Sequence, residues 1–292
     1  MKVGAVILEL EEYNRGQLRA DKTIKFYNQR LAPFSKHVGS STPIETVGRD
    51  EVRSFMASLR DKYSPETMRA TAVCIKRLFS WAKDEGIIAE NPISNLTLPR
   101  TPQVDRPALT REEVNLILNK GFRNSRAGHR WRTMLLLAVD TGLRVSELCA
   151  LKLKDVKEDG KITVHQGKGS KDRVVFCGDK AADQTRTYIH NYRYKPAYRY
   201  RAFLWITSNG GYVRPAAFRK ALYYAGDRVG IKINPHKLRR TFATMMLLNK
   251  ADLFTLQELM GHADIATTRK YIPRDLDRLR EVHRTASPGD ML

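Results

Sequence analysis

Long hydrophobic runs are missing from this sequence. Its apolar stretches are short, Met134 to Val139 being typical, and none approaches the roughly 18–20 residues of a membrane span. Nor is a secretory leader expected. The opening MKVGAVILELEEYN has one lysine and a brief apolar stretch that soon turns acidic, with no small-residue cleavage site. Cysteine is scarce: Cys74, Cys149 and Cys177 are odd in number, scattered and set in apolar contexts. That fits buried thiols of a reducing cytoplasm better than disulfides or a metal site. Acidic residues are the other shortage, 31 Asp and Glu against 52 Lys and Arg in 292 residues, a formal net charge of +21. With 42% hydrophobic residues the chain can still bury cores, which excludes wholesale disorder. The length suits two domains. The expectation is a soluble cytoplasmic protein with a strong attraction for polyanions.

The charge is unevenly placed. Residues 1–100 hold 16 basic and 12 acidic residues, whereas residues 101–292 hold 36 and 19. Between Asp183 and Asp227 there is no acidic residue at all, while Arg186, Arg193, Lys195, Arg199, Arg201, Arg214, Arg219 and Lys220 are interleaved with Tyr188, Tyr192, Tyr194, Tyr198 and Tyr200. One reading is a phosphate-binding surface, with tyrosine hydroxyls bonding phosphate oxygens. The other is a solvated helix and loop whose tyrosines pack on the core.

The first hundred residues read as about four helices. Apolar positions recur at helical spacing over 3–13, over 21–37 (Ile24, Tyr27, Leu31, Phe34) and over 49–60 (Val52, Phe55, Met56, Leu59). The clearest helix spans 65–85, with Ser64 as cap, Pro65 in its first turn, Gly86 at its end and a stripe of Val73, Ile75, Leu78, Phe79 and Trp81. Residues 91–109 hold four prolines and few periodic apolar positions, which reads as an interdomain linker. Thr110 to Glu113 forms a capping-box pattern opening a second domain. Helices are expected over 130–140, ending at Gly142, and over 146–151. Strands at 161–165 and 173–177 flank the turn Gly167-Lys168-Gly169-Ser170, residues 203–207 suggest a third strand, and helix resumes after 214.

Six polar residues stand out in the second part: Arg144 in TGLRVSEL, Lys168 in GKGSKDR, His236 and Arg239 in HKLR, His262 in MGH, and Tyr271 nine residues further on. Each alone is weak. In this order and spacing they resemble the tyrosine recombinase family, the phage integrases and Xer-type recombinases, and the likeness extends over nearly the whole chain. The family pattern is an Arg in T-G-x-R-x-x-E-L, a Lys in a β-hairpin, H-x-x-R on a helix, a G-H dipeptide and a Tyr about nine residues beyond it. The resemblance implies a mainly α fold with a small antiparallel β-sheet. A helical SAM-like core-binding domain would cover residues 1–98, a linker 99–109, and an α+β catalytic domain 110–292, ending in a short tail helix.

The resemblance also implies a reaction. Tyr271 would attack a backbone phosphorus, become linked to the 3′ phosphate and expel a 5′ hydroxyl, storing the bond energy so that no ATP is needed. Arg144 and Arg239 would hold the non-bridging oxygens, the work a divalent cation does in many nucleases. No metal and no cofactor is expected. Lys168 would protonate the leaving oxygen, with Lys171 as its rival on the same hairpin. His236 and His262 would bond phosphate oxygens or assist proton transfer at Tyr271. Glu147 is read as structural, and Asp172 and Arg173 as bracing the hairpin or touching DNA. Arg240 stands where many Xer-type members have His, a departure that leaves the active-site assignment intact.

Candidate DNA contacts are Lys171, Arg173, Arg214, Arg219, Lys237 and Arg240 in the second domain, and Arg69, Lys76, Arg77 and Lys83 on the 65–85 helix. That helix either reads bases in the major groove or is a solvated face with some phosphate contact. The partners implied are double-stranded DNA with inverted half-sites, a homo-tetramer formed on DNA from monomers, and an accessory DNA-bending protein or partner recombinase. Exchange would pass through a Holliday junction, in a nucleoid-associated protein. Leu276, Leu279 and Val282 in the tail would dock on a neighbouring protomer. The competing readings are a type IB topoisomerase and a non-catalytic DNA-binding protein.

Overall fold

The computed structural model describes residues 1–99, 107–165 and 172–261. The chain divides into two compact units, Met1–Asp105 and Arg106–Leu292. The first contains α1 (Val3–Gly16), α2 (Asp21–Val38), α3 (Arg49–Ser58) and α4 (Pro65–Asp84). Val3, Val6, Leu10, Leu31, Phe34, Phe55, Ile75, Leu78 and Phe79 form its core, with Phe34 and Phe55 meeting edge to face at 5.4 Å. The Ser64 hydroxyl accepts from the Thr67 amide as the N-cap of α4, Pro65 fills the first turn, and Gly86 just beyond the helix is left-handed at φ +71°.

Two expectations for this unit need correction. Val73 is 45% exposed and lies off the buried stripe of α4, whose place is taken by Ala72 and Cys74. Residues 91–99 are also not a free strap. Ile93 is fully buried in the helical core, and the Lys76 ammonium donates to the carbonyls of Ser94 at 3.1 Å and Leu96 at 3.2 Å. Asn91 and Lys76 tie that backbone down, so buried Ile93 and half-buried Leu96 suffice without helical periodicity.

In the second unit α5 (Arg111–Lys120), α6 (Arg126–Thr141), α7 (Val145–Ala150), α8 (Asp179–Thr187), α9 (Pro215–Val229) and the start of α10 (Pro235–Leu248) surround one core, and α11 (Leu253–Met260) packs with the rest of α10 in a second, smaller one. Thr110 and Glu113 close the capping box at α5, each accepting from the other's amide. α6 runs through the middle, burying Met134, Leu135 and Leu137. Strands β1 (Lys161–Val164) and β2 (Arg173–Phe176) pair antiparallel, with Lys161 opposite Phe176 and Val164 opposite Arg173. The mainly α fold with a small antiparallel sheet is as expected.

The expected third strand is not one. Residues 203–206 make only isolated bridges, Phe203 with Lys152 and Ile206 with Tyr212. Their backbone is divided between two loops, Leu204 donating to Leu151 and Trp205 accepting from Val213. No continuous ladder can form, although Leu204, Trp205 and Ile206 are fully buried. The three cysteines are buried free thiols, and burial pushes Cys149 up to about 12. No helix among the described residues is long and apolar enough to cross a membrane.

Candidate active site and nucleic-acid interface

The site grows from the end of α6. Gly142 ends that helix in the left-handed region at φ +62°, and a Cβ there would collide with the Phe242 ring. The turn leaves Arg144 as the residue capping α7. Its amide donates to Glu147 Oε2 and its Nη1 to Glu147 Oε1, both at 2.8 Å. Gly142→Ala is therefore expected to cost about 2 kcal/mol or more, from backbone strain plus the collision, measured as a drop in thermal midpoint.

Glu147 is the hub. Besides Arg144 it accepts from Arg173 Nη1 at 3.0 Å and Nη2 at 2.8 Å. Burial alone would raise its pKa, but the hydrogen bonds from Arg173 and Arg144 reverse this and bring the carboxyl down to about 2. It is therefore ionised at neutral pH.

Three guanidinium groups meet the carboxyl end of α11. Arg173 Nε donates to Leu259 O at 3.1 Å, Arg239 Nη2 to Met260 O at 2.6 Å, and Arg144 Nη2 to Gly261 O at 2.9 Å. Arg239 Nη1 also donates to Gly142 O. These carbonyls sit at the negative end of the helix dipole, so cations belong there. Gly261, left-handed at φ +62°, ends α11 immediately before His262. The structure thus brings Arg144 and Arg239, distant in sequence, to one helix end.

Arg239 is only 6% exposed, on α10, whose first turn is set by Asn234 accepting from the Lys237 amide and by Pro235. His236 lies exposed in that first turn, one helical turn before Arg239. Lys168, Lys171, His262 and Tyr271, with the tail residues Leu276, Leu279 and Val282, lie outside the described residues. Among the described residues no cluster of three or more His, Cys, Asp or Glu could hold a metal ion.

Of the expected DNA contacts, Arg69, Lys83, Arg214 and Arg219 are exposed, and Arg77, Lys237 and Arg240 are half-buried. Arg69, Lys76 and Lys83 recur every seven residues and so share one stripe of α4. Arg69 Nη1 reaches Pro99 O and the Lys76 ammonium is committed to backbone carbonyls.

Of the two readings of Arg173, the bracing one fits the structure: its side chain is buried against Glu147 and Leu259. The acid-free stretch is also partly internal. Tyr188 is fully buried with its hydroxyl accepting from the Ile206 amide, and Arg193 donates to the carbonyls of Leu204, Arg201 and Phe203. Tyr198 remains 80% exposed, with Arg201 over its ring at 4.5 Å.

A family model described as "Phage integrase family" matches residues 107–277, and one described as "Phage integrase, N-terminal SAM-like domain" matches residues 10–86. The chain is 31% identical over 275 residues to the tyrosine recombinase XerD of Listeria innocua, covering 91% of this chain and 92% of the relative. It is 33% identical over 281 residues to the tyrosine recombinase XerA of Pyrococcus furiosus, covering 94% and 92%. A solved structure of the Tn1549 transposon integrase in complex with a circular intermediate DNA superposes with a TM-score of 0.81 at 20% identity, covering 98% of this chain and 100% of that one.

Proposed function

The chain belongs to the phage integrase family of tyrosine recombinases, enzymes of DNA recombination, and we propose that it exchanges DNA strands through a covalent 3′-phosphotyrosyl intermediate. The observation that carries this reading is the convergence of Arg144 and Arg239 on one helix end directly before His262. Two permanently charged planar forks held this close suit one phosphodiester, whose non-bridging oxygens gain charge in the transition state. Tyr271 Oη attacks the phosphorus, and His262 and His236 bond the phosphate and take up the phenolic proton. The bond to the 5′ oxygen breaks, and Lys168 gives that oxygen a proton. The reverse attack by a 5′ hydroxyl from a second duplex rejoins the strands.

Residues 1–98 and 110–292 would grip the duplex as DNA-binding and catalytic domains, joined by 99–109. Four copies on inverted half-sites would pass two duplexes through a Holliday junction, in the cytoplasm. The DNA-bound Tn1549 integrase supports duplex DNA as substrate.

A duplex nicked beside the cleavage point traps the intermediate, and proteolysis of the trapped complex identifies the linked residue. The expected product is a Tyr271 peptide on a 3′ phosphate with a free 5′ hydroxyl; linkage elsewhere, or a 5′-linked product, overturns the reading. Relaxation of supercoils without exchange between duplexes would favour the topoisomerase reading. Salt separates binding from chemistry. Affinity should fall about a thousandfold between roughly 50 and 200 mM salt as counterions are released, while cleavage within the assembled complex changes little, as gel shift and single-turnover cleavage would show.

A further inference from the structure

The hairpin that carries Lys168 is closed at its base by a side-chain clasp. His165 directly follows β1 and Asp172 directly precedes β2, so between them they bracket residues 166–171. His165 Nδ1 lies 2.6 Å from Asp172 Oδ2, and His165 Nε2 lies 3.2 Å from Asp155 Oδ1. Asp155 is only 4% exposed and is fixed from behind, its Oδ2 accepting from the Lys152 amide at 2.9 Å. The imidazole therefore ties both ends of the 166–171 segment to an anchored carboxylate in the three-ten turn Leu153–Asp155.

The chemistry of imidazole gives this clasp a proton requirement. A neutral ring has one N–H and one lone pair, so it can donate to only one of two carboxylates. Donating to both requires the imidazolium. Among the described residues, the charged groups facing His165 are Asp155 from the three-ten turn and Asp172 just before β2. The neighbouring cation on β2, Arg173, is turned to Glu147. Hydrogen bonds to Asp172 and then Asp155 hold the imidazole pKa above the ordinary histidine value, so the clasp is complete at lower pH and loses one contact as pH rises through that raised pKa.

We propose that His165, as an imidazolium bridging Asp155 and Asp172, is the positioning residue that sets the Lys168 segment for proton transfer to the leaving 5′ oxygen. This rests on the reading of Lys168 as the general acid. His165 touches no DNA in the proposal and acts only through the hairpin base.

The test is single-turnover cleavage of a nicked duplex bearing the site mapped by covalent trapping, made in two forms. One has the ordinary 5′ oxygen as leaving atom. The other has sulfur at that bridging position, which leaves as thiolate and needs no acid. His165→Ala should slow the oxygen substrate by about tenfold, a part of what a general acid contributes, cleave the sulfur substrate at the wild-type rate, and keep DNA affinity within about twofold.

The wild-type rate on oxygen should fall with rising pH at the His165 pKa read by NMR titration, and that fall should vanish in His165→Ala. Asp172→Asn, on the half-exposed side of the clasp, should reproduce the defect and guards against a misfolded alanine variant. An equal defect on both substrates, or no defect at all, overturns the proposal. Lys168→Ala decides the underlying reading separately: full activity of that variant on oxygen removes Lys168 as the acid whatever His165 does.

Discussion

Tyr271→Phe is expected to abolish the trapped covalent complex, a loss of more than about 10⁴-fold in cleavage, while DNA affinity stays within about twofold. The substitution keeps the ring and removes only Oη, so it deletes the nucleophile and little else. No other tyrosine follows His262. The nearest exposed alternatives, Tyr223 and Tyr224, lie on α9 and pack against each other with ring centroids 5.5 Å apart. A weaker nucleophile such as water would give a nicked, unlinked product, which gel analysis after protease treatment separates from a covalent one. Residual protein–DNA linkage in Tyr271→Phe would sink the assignment.

Glu147→Gln should have the second largest effect. Glu147 accepts four hydrogen bonds, from the amide and guanidinium of Arg144 and from both terminal nitrogens of Arg173. Glutamine cannot neutralise two guanidinium groups and presents an N–H₂ to one of them. Breaking a buried pair in this way costs about 3–5 kcal/mol, and Arg144 loses the support that aims it, so cleavage falls as well.

The pH dependence separates the charge from mere packing. The folded-state pKa of Glu147 is depressed to about 2, so its contribution is fully present above the unfolded value near 4.3 and is lost as pH falls through about 2. Over that window the wild type should lose about 3 kcal/mol that Glu147→Gln has already lost. The measurement is urea denaturation of both proteins from pH 6 to pH 2. A stability gap that does not narrow with acid would show that the charge contributes nothing.

What could be read in the sequence was what is local. Ser64 and Thr110 are caps whose partners lie three residues away, and both form as caps. The Gly142 stop and the β1–β2 hairpin are equally short-range. The features that escaped depend on contacts across the fold. Arg173 looks like any hairpin cation until α11 and Glu147 close over it. In the acid-free run, Tyr188 fills the core, as one of its two readings had it, but which tyrosine would do so, and that Arg193 would staple the 201–204 backbone, was not legible. Val73 breaks its stripe because α4 turns its Arg69, Lys76 and Lys83 stripe, with Val73 among them, away from the core. For the candidate site, the sequence supplied the residue types, and the structure adds which of the arginines share a helix end.

That shared helix end has a thermodynamic consequence. Arg144, Arg173 and Arg239 bring three positive charges, and Glu147 returns one negative, so these four side chains hold an excess of two. Carbonyl dipoles at the end of α11 soften that excess without cancelling it. An oxyanion bound there adds its binding free energy to the folding equilibrium. On the proposed function, fold and substrate are linked: a phosphate held by Arg144 and Arg239 would stabilise the folded chain by its own binding free energy.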